Sequence, residues 1–221
     1  MRRVGTFIFG RPRPLSGDRR ADPNYTLDPE EPVLLPALDM QTGLLPLGRY
    51  GVTLDDIKLH YVDAAQFQAS TTRAEIWQHL ESATAGIRSV VPVVCVWIGG
   101  SFLTDKMDPD DIDLVYWCQD VLVDQVVADP QAALLLQMFA LNQVRAQTGL
   151  RVDTRYCKWH LYPEADRAQS AEHQSYVLNR GYWDDFWMRK RSGAKTDPPQ
   201  IADALPRRGY FEVTLDGFHG V

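Results

Sequence analysis

The stretch Trp97-Ile-Gly-Gly-Ser-Phe-Leu-Thr-Asp-Lys-Met-Asp-Pro-Asp-Asp-Ile-Asp-Leu-Val115 decides how the rest of the chain is read. The chain enters it from residues 90–98, a β-branched run that is apolar at successive positions, the pattern of a central strand covered on both faces. Glycines at 99 and 100 then let the backbone approach an anion closely, and Ser101 adds a hydroxyl donor, so Gly100 and Ser101 are the candidate phosphate-binding corner. After nine intervening residues, Asp111-Ile112-Asp113 opens another strand. Side chains alternate across a strand, so carboxylates at i and i+2 share a face. Two carboxylates that close repel unless a cation neutralises them, and Mg²⁺ binds through one or two carboxylates plus substrate phosphates. The pattern therefore predicts a divalent metal, Mg²⁺ or Mn²⁺, on Asp111 and Asp113. Asp110 is out of phase with this pair and reads as a loop residue.

Moving outward, residues 112–117 are strand-like, and two apolar-periodic stretches at 121–127 and 132–144 predict a short and a long helix separated by Asp129-Pro130. Gly149 reads as the left-handed cap of the long helix, and residues 151–159 alternate like another strand. If that strand runs beside 112–117, Asp153 completes a two-metal site and is the nearest base for an incoming hydroxyl. Upstream, Ile76, Leu80, Ala83 and Ile87 recur at helical spacing and predict an amphipathic helix over 71–87. Thr53 and Asp56 form a capping-box variant at the head of a helix through Tyr61.

Residues 1–50 are rich in Pro, Gly, Arg and Asp and read as an irregular arm with a short strand at 4–9. Residues 51–160 hold the central domain, which contains the strands and helices predicted above. Residues 161–221 form a C-terminal extension packed on it: a polar helix to about 178, an aromatic cluster around Tyr182, Trp183, Phe186 and Trp187, a basic run Arg189-Lys190-Arg191, and a last strand over 209–215.

A length of 221 residues with 45% hydrophobic content supports one substantial core, and a net charge of −6 gives no general pull toward nucleic acid or an anionic membrane. The longest apolar run contains a proline and is far shorter than the roughly 20 residues of a membrane span, so a cytoplasmic protein with no membrane partner is expected. Cys95, Cys118 and Cys157 have no zinc-ligand spacing and read as buried thiols.

The order Gly100-Ser101, Asp111-Ile112-Asp113 and Val152-Asp153 resembles the DNA polymerase β-like nucleotidyltransferase superfamily. The wording of residues 97–115, with Gly43-Leu-Leu-Pro46 before it, is closer still to small uncharacterised bacterial members that carry a GSF…DPxDID stretch. The resemblance implies an α/β (α+β) fold, a small mixed sheet flanked by helices, and transfer of a nucleoside monophosphate from a nucleoside triphosphate to a hydroxyl or phosphate on RNA, a protein or a small molecule. It gives the catalytic and metal roles to Asp111, Asp113 and Asp153, and the phosphates to Gly100 and Ser101. A toxin or defence role, with an antitoxin as partner, follows by the same analogy. The competing reading is a non-catalytic interaction module that keeps the fold and uses its arm and tail to contact a partner or a second copy of itself.

Residues outside this constellation have plainer readings. Lys106 is a loop lysine that can reach a triphosphate or simply face solvent. His160 is a candidate acid or base that more often serves as a hydrogen-bonded structural residue. Trp97 and Trp117 are core by pattern. The basic run with Lys195, Arg207 and Arg208, beside the aromatics, either stacks bases and neutralises phosphates or is a solvated tail over buried rings.

Overall fold

The computed structural model describes residues 35–164, 169–194 and 196–220. The strand expected at 4–9, the rest of the arm up to residue 34, and Lys195 lie outside the described residues. The architecture is α+β, a five-stranded mixed sheet flanked by six helices. In chain order the strands are β1 (Arg49–Gly51), β2 (Cys95–Gly99), β3 (Ile112–Gln119), β4 (Val152–Trp159) and β5 (Tyr210–Thr214). The helices are α1 (Leu54–Tyr61), α2 (Arg73–Arg88), α3 (Asp120–Val126), α4 (Pro130–Ala140), α5 (Val144–Thr148) and α6 (Ala171–Met188).

The sheet order is β1-β5-β2-β3-β4, with β1∥β5 and β3∥β4 parallel and β2 antiparallel to both β5 and β3. All five residues of β2 are buried, as the unbroken apolar run requires of a strand covered on both sides. The last strand of the chain, β5, sits between β1 and β2, so residues after 161 supply part of the sheet itself as well as the helix over one face.

Local sequence explains most boundaries. Thr53 Oγ accepts from the Asp56 amide at 3.1 Å while Asp56 Oδ2 accepts from the Thr53 amide at 3.1 Å, the reciprocal cap expected at the head of α1. Ile76, Leu80, Ala83 and Ile87 are buried on α2. Asp129 caps α4 through the Gln131 amide, with Pro130 at the first turn, where it has no hydrogen bond to lose. Three boundaries differ from expectation. The helix expected to end near 178 continues to Met188, so the aromatic cluster lies on α6 itself. β2 begins at Cys95, because the Val93 amide turns to the Asp216 carboxylate at 2.8 Å while Val91 and Val93 stay in the core. The helix expected over 132–144 ends at Ala140, where Asn142 adopts φ 56° and its Oδ1 accepts from the Thr154 amide on β4 at 2.7 Å. Gly149, at φ 78°, therefore caps the five-residue α5 and not the long helix.

The two sheet faces are packed differently. Ile112, Leu114, Tyr116, Val96, Ile98 and Phe211 join α1, α2 and α4 in the larger core. Cys95, Trp97, Val115, Trp117, Cys157 and Tyr210 pack against Trp187, Trp183 and Tyr176 of α6. All three cysteines are buried free thiols, and burial pushes Cys95 and Cys157 up to about 12. Among the described residues no helix is long and apolar enough to cross a membrane.

Candidate functional site

Parallel pairing of β3 with β4 places Asp113 directly opposite Asp153. Both lie on the α6 face, in phase with Val115, Trp117 and Cys157. Neighbouring strands lie about 4.8 Å apart, so these two carboxylates can reach one ion. On the other side of β3, Asp113 pairs with Gly99 of β2. Gly100 follows at φ 81°, and a Cβ there would overlap the Asp113 carboxylate. A Cβ at Gly99 would come within 2.8 Å of the Trp187 ring. The two glycines therefore have separate tasks, one admitting α6 and the other admitting the carboxylate. Ser101 opens a single 3₁₀ turn, residues 101–103, immediately after.

The loop from Gly100 to Asp111 is held from behind by Arg73, which is buried at the first position of α2. Its guanidinium donates to the carbonyls of Tyr61, Phe102, Thr104, Lys106 and Met107 at 2.6–3.3 Å. The rings of Phe67 and Phe102 flank it at 3.7 and 5.0 Å. Asp108 ties the loop to the start of α2 by accepting from the Thr71 amide and the Ser70 and Thr71 hydroxyls, and these bonds hold its carboxyl below the usual range. The Gly43–Pro46 segment is part of the same assembly. Leu44 bridges Thr104, the Asp105 amide donates to Gly43 O, and a Cβ at Gly43, φ 65°, would overlap the Asp105 carboxylate.

Asp111 immediately precedes β3. Arg145 of α5 grips it at 2.9 Å and with its other terminal nitrogen grips Asp110, also at 2.9 Å. Arg151 adds a second bond to Asp110 at 3.3 Å and one to Glu75 at 3.0 Å. The Arg145 hydrogen bond holds Asp110 below the usual carboxylate range, and the same bond raises Arg145, with the charges of Asp111 and Asp153 adding to it. Arg208 lies near Asp113; burial pulls its guanidinium down and the Asp113 charge opposes that pull. Its Nε donates to Trp187 O at 3.0 Å.

Tested against a divalent ion, the donor set fits in part. Asp113 and Asp153 form a two-carboxylate platform, enough for an ion that takes its remaining ligands from water and phosphate. Asp111 shares its Oδ2 with Arg145, so an ion drawing on that oxygen competes with the guanidinium, and among the described residues no group of three His, Cys, Asp or Glu side chains is placed to hold a metal.

The carboxylates open onto a cleft of about 370 Å³ whose floor includes Asp113, Leu114, Asp153 and Thr154, with Arg155 and Asn142 to one side and the rings of Tyr182, Trp183, Phe186 and Trp187 to the other. The aromatic cluster of the sequence is thus divided. Trp187 is buried, 3% exposed, whereas Tyr182 and Phe186 are 57% and 45% exposed. Lys106 is exposed, and its backbone is what the loop uses, as a carbonyl for Arg73. His160 lies seven residues beyond Asp153, roughly 20 Å along the strand direction, and pairs with Asp120 at 2.5 Å, a structural contact. Lys190, Arg191 and Arg207 line a separate depression of about 650 Å³ with Gln41, Thr42 and Leu44.

Sequence reasoning missed Arg73, Arg145 and Asn142, and it grouped Arg208 with the basic tail, whereas the structure buries that guanidinium near Asp113. Only Arg73 left a signal: it continues the 76, 80, 83, 87 stripe three residues upstream, a charge in phase with the buried face of its helix.

No curated protein and no solved structure matches the chain. A family of unknown function, DUF6932, matches residues 36–214, a span that takes in every strand and helix of the sheet assembly, and the chain belongs to that family.

Proposed function

We propose that this protein is a metal-dependent nucleotidyltransferase that moves a nucleoside monophosphate from a nucleoside triphosphate to a hydroxyl or phosphate acceptor. The observation that carries the reading is the packing of Gly100, without room for a Cβ, against Asp113, which is itself in register with Asp153. A backbone that must approach a carboxylate so closely, on the strand pair that presents a second one, is expensive to keep for packing alone.

In this reading Gly100 and Ser101 hold the phosphates, and Asp113 and Asp153 hold Mg²⁺ or Mn²⁺, with Asp111 joining them in competition with Arg145. The bound ion supplies charge neutralisation for the phosphates. Asp153 takes the proton of the acceptor hydroxyl as its oxygen bonds to the α-phosphorus; the bond from that phosphorus to the bridging oxygen breaks, and pyrophosphate leaves. Arg208, largely buried near Asp113, offsets part of that carboxylate's charge. The acceptor can be RNA, a protein hydroxyl or a small molecule, and the cytoplasm is the compartment where triphosphates are supplied.

The second reading, a non-catalytic interaction module, is favoured by one contact, the pairing of Arg145 with Asp111, which neutralises that carboxylate without a metal. A thermal melt with each of the four nucleoside triphosphates, with and without Mg²⁺ or Mn²⁺, separates the two, because a ligand bound only by the folded state raises the midpoint. A metal-dependent rise that Asp113→Asn abolishes supports the transferase. No rise with any nucleotide, in a protein that self-associates, supports the module.

A further inference from the structure

The face of α6 that turns toward the carboxylates is unusual for an exposed helix surface. Tyr182 and Phe186, one turn apart, stack with ring centroids 5.9 Å apart and planes 15° from parallel. Each also meets Trp183 edge-on, at 5.0 and 5.5 Å. Trp183 and Trp187 anchor this array in the smaller core, so the array is fixed from below and open above. Large exposed rings next to a polar floor mark a binding surface more often than a solvated one.

We propose that these rings form a subsite for one planar base, so that the cleft takes its ligand as a single nucleotide with the base against Tyr182 and Phe186 and the phosphates toward Arg155 and the Asp113–Asp153 floor. This rests on the nucleotidyltransferase reading and adds to it the mode of nucleoside recognition. Three features select that ligand. The cleft volume of about 370 Å³ lies at the low end of the roughly 300–1,000 Å³ of small-molecule sites, which suits one nucleotide and not a strand. The rings and the charged groups line one cleft, so a ligand with an aromatic end, and an anionic end held through Arg155 and an ion on the two carboxylates, is matched at both ends. Arg155 lies on β4 two residues beyond Asp153, on the same face, and gives the anionic end a guanidinium as well as an ion.

The test is a titration of the full-length protein, followed by tryptophan fluorescence, in Mg²⁺ with ATP and separately with inorganic tripolyphosphate. Base–aromatic stacking predicts that ATP binds on the order of tenfold or more tighter than tripolyphosphate. In Tyr182→Leu/Phe186→Leu, which keeps apolar contact with the tryptophans but removes the planar faces, that advantage falls to about threefold or less while tripolyphosphate binds as before. Tyr182→Ala/Phe186→Ala gives the same result if the effect is loss of stacking. Equal binding of ATP and tripolyphosphate by the unaltered protein, or an ATP advantage that survives both double variants, overturns the base subsite and leaves the transferase reading standing. Failure of both ligands to bind overturns the two together.

Discussion

The two faces of the sheet are built from different materials. The face under α1, α2 and α4 is mostly aliphatic and closed, and the charged group it buries, Arg73, has every nitrogen of its guanidinium donating to a carbonyl. The α6 face is aromatic and incomplete. Among the described residues, the buried side-chain nitrogens without a hydrogen-bond partner belong to Trp117, Trp187 and Arg180, and all three lie on this face. Buried polar groups are normally satisfied, so their clustering on one side is informative. The closed face maintains the fold, while the α6 face carries carboxylates, exposed rings and unspent donors at some cost in stability.

The sharpest way to break this contrast is to remove Arg73. Arg73→Met leaves five carbonyls without their donor, and at about 1–3 kcal/mol for each buried acceptor left unsatisfied the total should exceed about 3 kcal/mol. At roughly 2–4 °C per kcal/mol for a chain of this size, the melting midpoint should fall by about 10 °C. A matched change on the other face, Phe186→Leu, should cost less than about 1 kcal/mol, because that ring is 45% exposed. A thermal melt of both variants decides it, and equal losses would erase the distinction between the faces.

Next in size is Gly100→Ala. A left-handed residue with no room for a Cβ should cost about 1–3 kcal/mol, and because the Asp113 carboxylate must move, the metal-dependent rise in midpoint with nucleotide should vanish. Asp113→Asn should behave in the opposite way. Its own melt without ligand should stay within about 1 kcal/mol of the parent, since relief of the repulsion from Asp153 offsets the lost attraction to Arg208, while the metal-dependent rise is lost as completely as in Gly100→Ala. A variant that melts normally yet loses the ligand response marks a site residue and not a packing residue.

How much of this could be read from the sequence follows from the range of each interaction. Periodicity is local, so Ile76, Leu80, Ala83 and Ile87 announce the buried stripe of α2, and Thr53 with Asp56 announces the start of α1. The strand pattern around Asp113 and the alternation around Asp153 make their shared face an expectation, and their register turns it into direct opposition. The insertion of β5 between β1 and β2 depends on contacts more than a hundred residues apart and leaves no mark in a window of ten. The break at Asn142 is equally hidden, because it depends on a single bond from the Thr154 amide to a side chain twelve residues away. Alternation alone pairs Asp111 with Asp113. The engagement of Asp111 by Arg145 could not be foreseen, since nothing in the sequence says that α5 brings a guanidinium there.

That engagement gives the smallest of the effects and the most direct test of how the site is assembled. Arg145 is 39% exposed and the Asp111 carboxyl 15%, so their pair is partly screened and worth no more than about 1 kcal/mol. If the guanidinium competes with the ion for Asp111, Arg145→Gln removes the competitor, keeps a neutral donor in its place, and should raise Mg²⁺ or Mn²⁺ affinity by roughly two- to fivefold in a calorimetric titration without nucleotide. The direction of the change carries the argument. Tighter binding means that Asp111 is a metal ligand held in reserve by Arg145. Weaker binding means that Arg145 orders the loop on which Asp113 depends, and that the ion rests on Asp113 and Asp153 alone.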